Sequence, residues 1–133
     1  VDENAFDGCA DELELIYDVK VPEELDVDYS DLGVIIGNLI DNSKHAVSRV
    51  LQNNMDAYID IKLICHADNI VFIIKNNYIN TPEVRNIDYY KNHGRGIGSV
   101  RKIIKKYDGM YDVKKTEYEY VTSVSVGVRN MRM

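Results

Sequence analysis

The spacing of apolar residues changes its period several times along this chain, and these changes constrain the fold more than any other feature. Between residues 13 and 21 apolar and polar residues alternate, which predicts a strand. From about Asp31 to Gln52 apolar residues recur at helical spacing, and Ser30 is the predicted N-cap. AYIDIKLICH then alternates again, and the turn residues of HADN separate it from the strand-like run IVFIIKN, so we predict a hairpin.

The second half of the chain repeats this change of period after a long polar stretch. Residues 77–93 contain Thr81 and Pro82 as breakers and predict a long, loosely structured connection. After GRGIG, apolar residues from Ile97 onward predict a second helix that stops at Gly109, and a final strand pair follows. The order β–α–β–β–loop–α–β–β predicts an α+β two-layer sandwich, with helices on one face of a mixed, mostly antiparallel sheet.

Length and charge limit the class of protein. The 133 residues suffice for one domain, so we treat 1–133 as a single domain with residues 1–11 as a lead-in segment or the stub of a truncation. A net charge of −6 argues against a broad surface for nucleic acid or an anionic membrane. No apolar run approaches the roughly 20 residues that cross a bilayer. Cys9 and Cys65 have no metal-binding or redox spacing.

Three glycines, Gly94, Gly96 and Gly98, precede the predicted second helix. Backbone N–H groups of such a loop can converge on an anion at a helix N-terminus, and Lys91 and Arg95 could add charge-assisted contacts to phosphate oxygens. The alternative is that the glycines only shape a tight turn into the helix. The spacing matches neither a P-loop nor a dinucleotide-binding fingerprint.

Asn38 and Asn42 lie one turn apart in the first predicted helix, although Asn is a poor helix former. Magnesium prefers oxygen ligands and keeps several waters, so Asn42 could face a metal while Asn38 orients a metal-bound water or a phosphate. The alternative is a pair of polar residues on the solvated edge of an amphipathic helix.

Taken together, these parts resemble the GHKL (Bergerat-fold) ATP-binding superfamily, and within it the catalytic domains of sensor histidine kinases. DLGVIIGNLIDNSKHAV is similar to that family's N-box, and HGRGIGSVRKIIKKYDG is similar to its G-box and the helix that follows. The resemblance spans roughly residues 12–128. It is closer to the Agr-type quorum-sensing branch, which reads His-Gly-x-Gly-Leu-x-Ser/Asn-Val where this chain has His93, Gly94, Gly96, Ile97, Ser99 and Val100.

The resemblance implies a site for ATP and Mg²⁺ in which Asn42 coordinates the metal, Asn38 supports the phosphates, and Gly94 and Gly96 wrap the triphosphate. It implies that residues 78–93 form an ATP lid. His45 stands where family members often carry a residue near the phosphates; it could instead be a solvated surface histidine. The implied ATP-binding set is Asn38, Asn42, His45, Asn76, Lys91, Gly94, Arg95, Gly96, Ile97 and Gly98.

Two positions depart from the family pattern or divide its members. Asn76 stands where typical kinases carry an Asp that accepts a hydrogen bond from the adenine amino group, and Tyr78 stands where Gly is usual. An amide can still accept that bond, but it loses charge assistance worth about 1 kcal/mol.

Asn38 stands where gyrase-type members carry a Glu that activates water, and an amide cannot act as that general base. We therefore expect phosphoryl transfer to an external acceptor, with slow hydrolysis.

The acceptor histidine is not recognisable here, because His45, His66 and His93 lack an acceptor-like context. The resemblance implies an acceptor on a dimerisation domain absent from this chain, a downstream response regulator, and a cytoplasmic place in a membrane-anchored bacterial receptor. We expect a monomeric isolated domain, a homodimeric full-length protein, no nucleic-acid partner and no direct membrane contact. Two alternatives are an anti-sigma-factor-type serine kinase and a non-catalytic GHKL interaction module.

Overall fold

A computed structural model of the chain describes residues 13–22, 27–80 and 90–127, with side chains in the last range from residue 96 onward. Seven elements follow one another along the chain. They are β1 (Leu13–Lys20), α1 (Tyr29–Gln52), β2 (Ala57–His66), β3 (Asn69–Asn77), α2 (Tyr90–Lys106), β4 (Met110–Lys115) and β5 (Glu119–Gly127). The order of helices and strands predicted from the sequence is confirmed.

The five strands form one sheet in the order β1-β2-β3-β5-β4. β1 runs parallel to β2, and the other neighbouring pairs are antiparallel. The predicted β2–β3 hairpin is confirmed, with Cys65 opposite Ile70 and Ala67 in the turn at a φ of 56°. The predicted class, a mixed and mostly antiparallel sheet with helices on one face, is also confirmed.

The core lies between the two helices and the sheet. Alternate residues of β3 and β5 are buried, as expected for strands with one covered face. The most deeply buried side chains are Ile35, Leu39, Ile70, Ile74, Val50, Val100 and Val126. On β1, by contrast, Leu15, Tyr17 and Val19 remain 56%, 70% and 54% exposed. Within the described residues, no helix has both the length and the apolar character needed to cross a bilayer.

The start of α2 differs from the prediction. The helix was expected after the glycines, near Ile97, but it begins at Tyr90, so Gly94, Gly96 and Gly98 lie inside it. The predicted loop is therefore wrong for residues 90–98, while residues 81–89 of the proposed lid lie outside the described residues. The apolar pattern starts only at Ile97, and glycine is unfavourable in helix interiors, so neither signal indicated the earlier start.

Two helix ends also differ in detail. Asp28, and not Ser30, caps α1, because the Asp28 side chain accepts a hydrogen bond from the Ser30 N–H at 2.8 Å. α2 ends at Lys106, shortly before the predicted stop at Gly109, and Asp108 between them has a φ of 56°. Gly109 is needed for space, since a Cβ there would lie 2.2 Å from the Ser125 carbonyl oxygen.

Candidate functional site

A stripe of polar residues on α1 faces the first part of α2. Asn38, Asn42 and His45 share one side of α1, since residues three and four apart in a helix are neighbours. They line an open cavity of about 460 Å³ together with Gly96 of α2. Asp41, Lys44 and Ser48 complete its lining. The structure thus brings four of the predicted site residues to one cavity between the helices.

Asn38 lies where α1 contacts α2 at Gly96, and a hydrogen bond holds its side chain in place. Its Nδ2 donates to the Val34 carbonyl one turn earlier, at 2.9 Å. Its Oδ1 would lie 3.1 Å from a Cβ at position 96, which is closer than an ordinary contact. A glycine at position 96 therefore lets α2 approach the Asn38 amide.

The backbone N–H groups of the glycines are not arranged to receive an anion in this conformation. In an α-helix, N–H groups beyond the first turn donate to the carbonyl four residues earlier. Gly94, Gly96 and Gly98 lie beyond the first turn of α2. Ile97 packs against the hydrophobic core. The side chains of Lys91 and Arg95 lie outside the described part of the chain.

Asn76 lies apart from the residues that line the cavity. It is on β3, 3% exposed, and its Oδ1 accepts a hydrogen bond from the Ser43 hydroxyl at 2.7 Å. Its Nδ2 donates to the Asn77 carbonyl at 2.9 Å. Ser43 is itself 3% exposed and faces the sheet from α1, directly after Asn42 in the sequence. The amide proposed for adenine is thus buried and anchored at both ends.

The next residue, Asn77, has a structural role. Its Oδ1 accepts from the Tyr58 N–H at 3.0 Å, and its Nδ2 donates to the Asp56 carbonyl at 2.9 Å. The Tyr58 hydroxyl also donates to the Glu119 carboxylate of β5. Burial, followed by this hydrogen bond, raises the pKa of Tyr58. These contacts join the start of β2 to the end of β3, where Asn76 and Asn77 lie, and to the start of β5.

At the opposite end of α2, a polar cluster ties the two helices together. The Asp31 carboxylate accepts from Lys106 Nζ at 2.7 Å and from the Tyr107 hydroxyl at 2.8 Å. The Tyr107 hydroxyl in turn accepts from the Asp28 N–H at 3.2 Å. The Lys106 hydrogen bond, and then that of Tyr107, lower the pKa of Asp31. Burial and the Asp31 bond raise the pKa of Tyr107.

Several residues at the site were missed by sequence reasoning. Asp41, Lys44 and Ser48 line the cavity and had not been singled out. Ser43 was also missed, although its spacing from Leu39 and Val47 places it on the buried side of α1. A serine in an otherwise apolar buried stripe indicates a polar partner, because buried hydroxyls are normally hydrogen-bonded.

The donor set of the cavity fits magnesium and phosphate better than a soft metal. Asn38, Asp41, Asn42 and Ser48 supply oxygen atoms, and Lys44 supplies a cation. Within the described residues, no group of three or more His, Cys, Asp or Glu side chains could hold a metal ion by itself. A magnesium ion there would be held by few protein ligands, with phosphate oxygens and waters as the others.

The fold and this cavity together define a class: a two-layer α+β domain in which an asparagine-bearing helix faces a glycine-bearing one across an open cavity. A family profile described as the GHKL domain matches residues 27–127, which is more than half of the chain. The chain belongs to the GHKL domain family. Among curated proteins, none matches the chain significantly.

Solved structures of histidine kinases share the fold at low sequence identity. The catalytic domain of the histidine kinase ThkA matches with a TM-score of 0.64 at 15% identity, covering 95% of this chain and 84% of that one. A histidine kinase domain from the Erythrobacter litoralis blue-light activated histidine kinase gives 0.63 at 14%, covering 94% and 55%. Acinetobacter baumannii histidine kinase AdeS gives 0.61 at 14%, covering 96% and 59%. This chain thus spans little more than half of the last two chains.

Proposed function

We propose that this chain is the ATP-binding catalytic domain of a sensor histidine kinase. It binds Mg-ATP at the cavity between α1 and α2 and transfers the γ-phosphoryl group to a histidine on a dimerisation domain outside this chain. The observation that carries the proposal is the convergence of Asn38, Asn42 and His45 with Gly96 at one cavity, in a chain of the GHKL family. ATP binding is what membership of that family implies.

The roles of the cavity residues follow from their chemistry. Asn42 offers a neutral oxygen to magnesium, and Asn38 orients a phosphate or a metal-bound water. When bound, magnesium neutralises charge on the phosphate oxygens. His45 and Lys44 are near enough to the same cavity to serve as donors to phosphate. Such a site acts mainly by positioning and charge neutralisation, which is what phosphoryl transfer requires.

The glycines require a rearrangement before they can contact the triphosphate. We propose that residues 90–98 unwind from α2 when nucleotide binds, which releases the N–H groups of Gly94, Gly96 and Gly98 toward the phosphates. Each glycine makes a helix about 1 kcal/mol less favourable than alanine does, so three of them lower the cost of unwinding. Lys91 and Arg95 belong to the same segment and contribute positive charge there. Residues 78–93 remain our proposal for the ATP lid.

The wider assignment is also a proposal. The motif from His93 to Val100 supports the Agr-type quorum-sensing branch, with a membrane-anchored bacterial receptor as the parent protein and this domain on its cytoplasmic side. The partners would be its own dimerisation domain and a response regulator. A homodimeric parent protein would bring the acceptor histidine to this domain, within one protomer or between two.

Titration with a fluorescent ATP analogue tests the proposal. We expect magnesium-dependent binding between micromolar and millimolar, because the Asn76 contact lacks charge assistance. Asn42→Ala should abolish the magnesium dependence. Asn69→Ala removes an amide from the start of β3, outside the cavity lining, and should bind as the wild type does. Absence of binding at millimolar nucleotide would instead favour a non-catalytic GHKL interaction module.

A further inference from the structure

The strand β1 lies at one edge of the sheet and exposes a row of large apolar side chains. Among the described strands it pairs only with β2. Leu15 lies on the same side of the sheet as the core, because it is opposite the buried Ile59. The helices nevertheless leave more than half of the Leu15, Tyr17 and Val19 side chains exposed. An edge strand of this kind presents backbone N–H and C=O groups to which another strand can pair.

The strand at the other edge, β4, carries features that discourage such pairing. It has six residues, whereas β1 has eight, and it ends in Lys114 and Lys115. Short length and lysine side chains are the usual protection of an edge strand. β1 has a single lysine, Lys20, and Ile16 is 42% exposed on the face opposite to that of Tyr17. β1 is therefore the edge that is better suited to pairing.

The sequence of β1 is complementary to itself when two copies run antiparallel about a two-fold axis at Tyr17. Each Glu14 then faces Lys20 of the second copy, and the two Tyr17 rings face each other. Opposite charges and aromatic or apolar side chains that face each other across two strands stabilise the pair. Read from both ends of the strand, the facing pairs are Glu14–Lys20, Leu15–Val19, Ile16–Asp18 and Tyr17–Tyr17.

Charge also disfavours the neighbouring registers. Side chains alternate between the two faces of a strand, so the register can change only in steps of two residues. A step in one direction would place Glu14 opposite Asp18 of the second copy, and a step in the other would place the two Asp18 side chains opposite each other. Like charges that face each other destabilise a strand pair. The sequence thus favours the register with the axis at Tyr17.

We propose that β1 is the surface through which two copies of this domain associate, by antiparallel pairing of their β1 strands about a two-fold axis at Tyr17. The pairing joins two five-stranded sheets into one continuous sheet. Backbone hydrogen bonds supply the attraction, and the facing side chains set the register. Of the described residues that line the cavity between α1 and α2, none belongs to β1, so the pairing leaves that cavity open. The inference does not depend on the proposed function.

The association is weak because the contact is small. A strand pair about 26 Å long should bury less than the roughly 1,200 Å² that stable complexes bury. We expect a dissociation constant on the order of 0.1–1 mM. The expectation of a monomeric isolated domain therefore applies at micromolar concentration. In a homodimeric parent protein the two domains would be linked at a millimolar effective concentration, at which they pair.

Charge reversal tests the pairing, with sedimentation of the chain from about 10 μM to about 1 mM as the measurement. Glu14→Lys alone, or Lys20→Glu alone, places like charges opposite each other at both ends of the pair and should weaken association by about tenfold. An equimolar mixture of the two variants should associate at least as well as the wild type, because every lysine of one then faces a glutamate of the other. The double variant, Glu14→Lys with Lys20→Glu, should also recover.

Matched controls make the same changes of charge away from β1. Lys114→Glu on β4 and Glu117→Lys beyond its end alter exposed residues, and neither variant should change association. All of these side chains are exposed, so the variants should fold.

Cross-linking tests the register separately. In a chain with Cys9→Ser and Cys65→Ser, Tyr17→Cys should form a disulfide between two copies under mild oxidation, because residue 17 faces its own counterpart. Ile16→Cys should form one far more slowly, because residue 16 faces residue 18.

Recovery of association in the mixture and in the double variant, with both controls unchanged, supports the proposal. Association that survives the single reversals, or that the controls weaken equally, would overturn it. A wild type that stays monomeric at about 1 mM would also overturn it and would show that the exposed face of β1 serves another segment or another protein. ATP binding should be the same in Glu14→Lys as in the wild type, so loss of pairing and loss of the proposed function are distinguishable.

Discussion

The Asn38 side chain of α1 lies against the backbone of Gly96 in α2, with Oδ1 3.1 Å from where a Cβ at position 96 would be. Gly98, a little further along the same helix, has nothing within 4 Å of its own Cβ position. Neither glycine has a positive φ, so neither is required for backbone conformation. Alanine variants of the two glycines can therefore be compared to separate the effect of a steric clash on stability from the effect of helix propensity.

Gly98→Ala should raise the free energy of unfolding by up to about 1 kcal/mol, because alanine is the better helix former. Gly96→Ala should raise the free energy of unfolding by less than Gly98→Ala does, or should lower it, because the added Cβ displaces the Asn38 amide. Urea unfolding of both variants measures the difference. If the two variants were equally stabilised, the close approach between Asn38 and position 96 would be wrong.

The same pair tests whether α2 unwinds when nucleotide binds. A variant that stabilises the helix by about 1 kcal/mol should weaken ATP binding by about fivefold, since binding must then overcome that added stability. Gly98→Ala should thus be more stable and bind ATP less well. Unchanged affinity in a demonstrably stabilised Gly98→Ala would show that the helix stays intact when ATP binds.

Asp31 should make the stability of the domain depend on acid pH. Hydrogen bonds from Lys106 and Tyr107 hold the pKa of Asp31 below its ordinary value of 3.8. A depressed pKa contributes stability that is present above the unfolded-state pKa and is lost as the pH falls through the folded-state pKa. Asp31→Asn should therefore lower stability at neutral pH, and the difference from the wild type should shrink below pH 3.8.

Urea unfolding between about pH 7 and about pH 3 measures this difference as the pH falls into the range in which the carboxyl of the unfolded state becomes protonated. Asp112→Asn on β4 provides a control, because it removes a carboxylate outside the polar cluster that joins α1 to α2. Lys106 is 58% exposed and Asp31 16%, so added salt should weaken the effect. A wild-type advantage over Asp31→Asn that stayed constant to the acid end of the range would contradict the assigned contacts.

Gly109 is predicted to be intolerant of a side chain. A Cβ there would lie 2.2 Å from the Ser125 carbonyl oxygen, a backbone atom that cannot rotate away. Gly109→Ala should cost about 2 kcal/mol, in the range of overpacking. Gly127→Ala is the control, because its nearest neighbour is 3.8 Å away, an ordinary contact. Thermal unfolding that found the two variants equally stable would show that Gly109, between α2 and β4, does not approach β5 as described.

The isolated chain should hydrolyse ATP slowly and should not label itself. The amide of Asn38 cannot act as a general base, and none of the three histidines has an acceptor-like context. Asp41 places a carboxylate at the same cavity, so Asp41→Asn is the informative variant. Phosphate release should be equally slow in both proteins. Rapid release that Asp41→Asn abolishes would indicate an ATPase, and acid-labile label on His45, His66 or His93 would contradict an external acceptor.

The sequence predicted those features of the fold that depend on local patterns. The strands and α1 have clear apolar periods, and the turn residues of HADN were enough to predict the β2–β3 hairpin. The start of α2 was predicted wrongly, because three glycines and a polar stretch conceal a helix that packs against Asn38. Tertiary packing overrides intrinsic propensity at such places.

The site was predictable only in part. Helical spacing placed Asn38 and Asn42 on one side of α1, the glycine motif indicated Gly96, and the family resemblance indicated His45. The contact of Asp31 with Lys106 spans 75 positions, and no local pattern reports it. The Ser43–Asn76 pair spans 33 positions, so no local pattern predicts it. The spacing of Ser43 within α1 predicts only that Ser43 is buried and needs a polar partner.

The central claim, that Mg-ATP occupies the cavity between α1 and α2, is tested most directly by an NMR titration of the ¹⁵N-labelled chain with Mg-ATP. The claim predicts that the largest amide shift changes fall in residues 38–48 and 90–98, with Asn42 and Gly96 among them, and that EDTA reverses them. Saturating nucleotide that leaves both segments unchanged while other residues shift would contradict it.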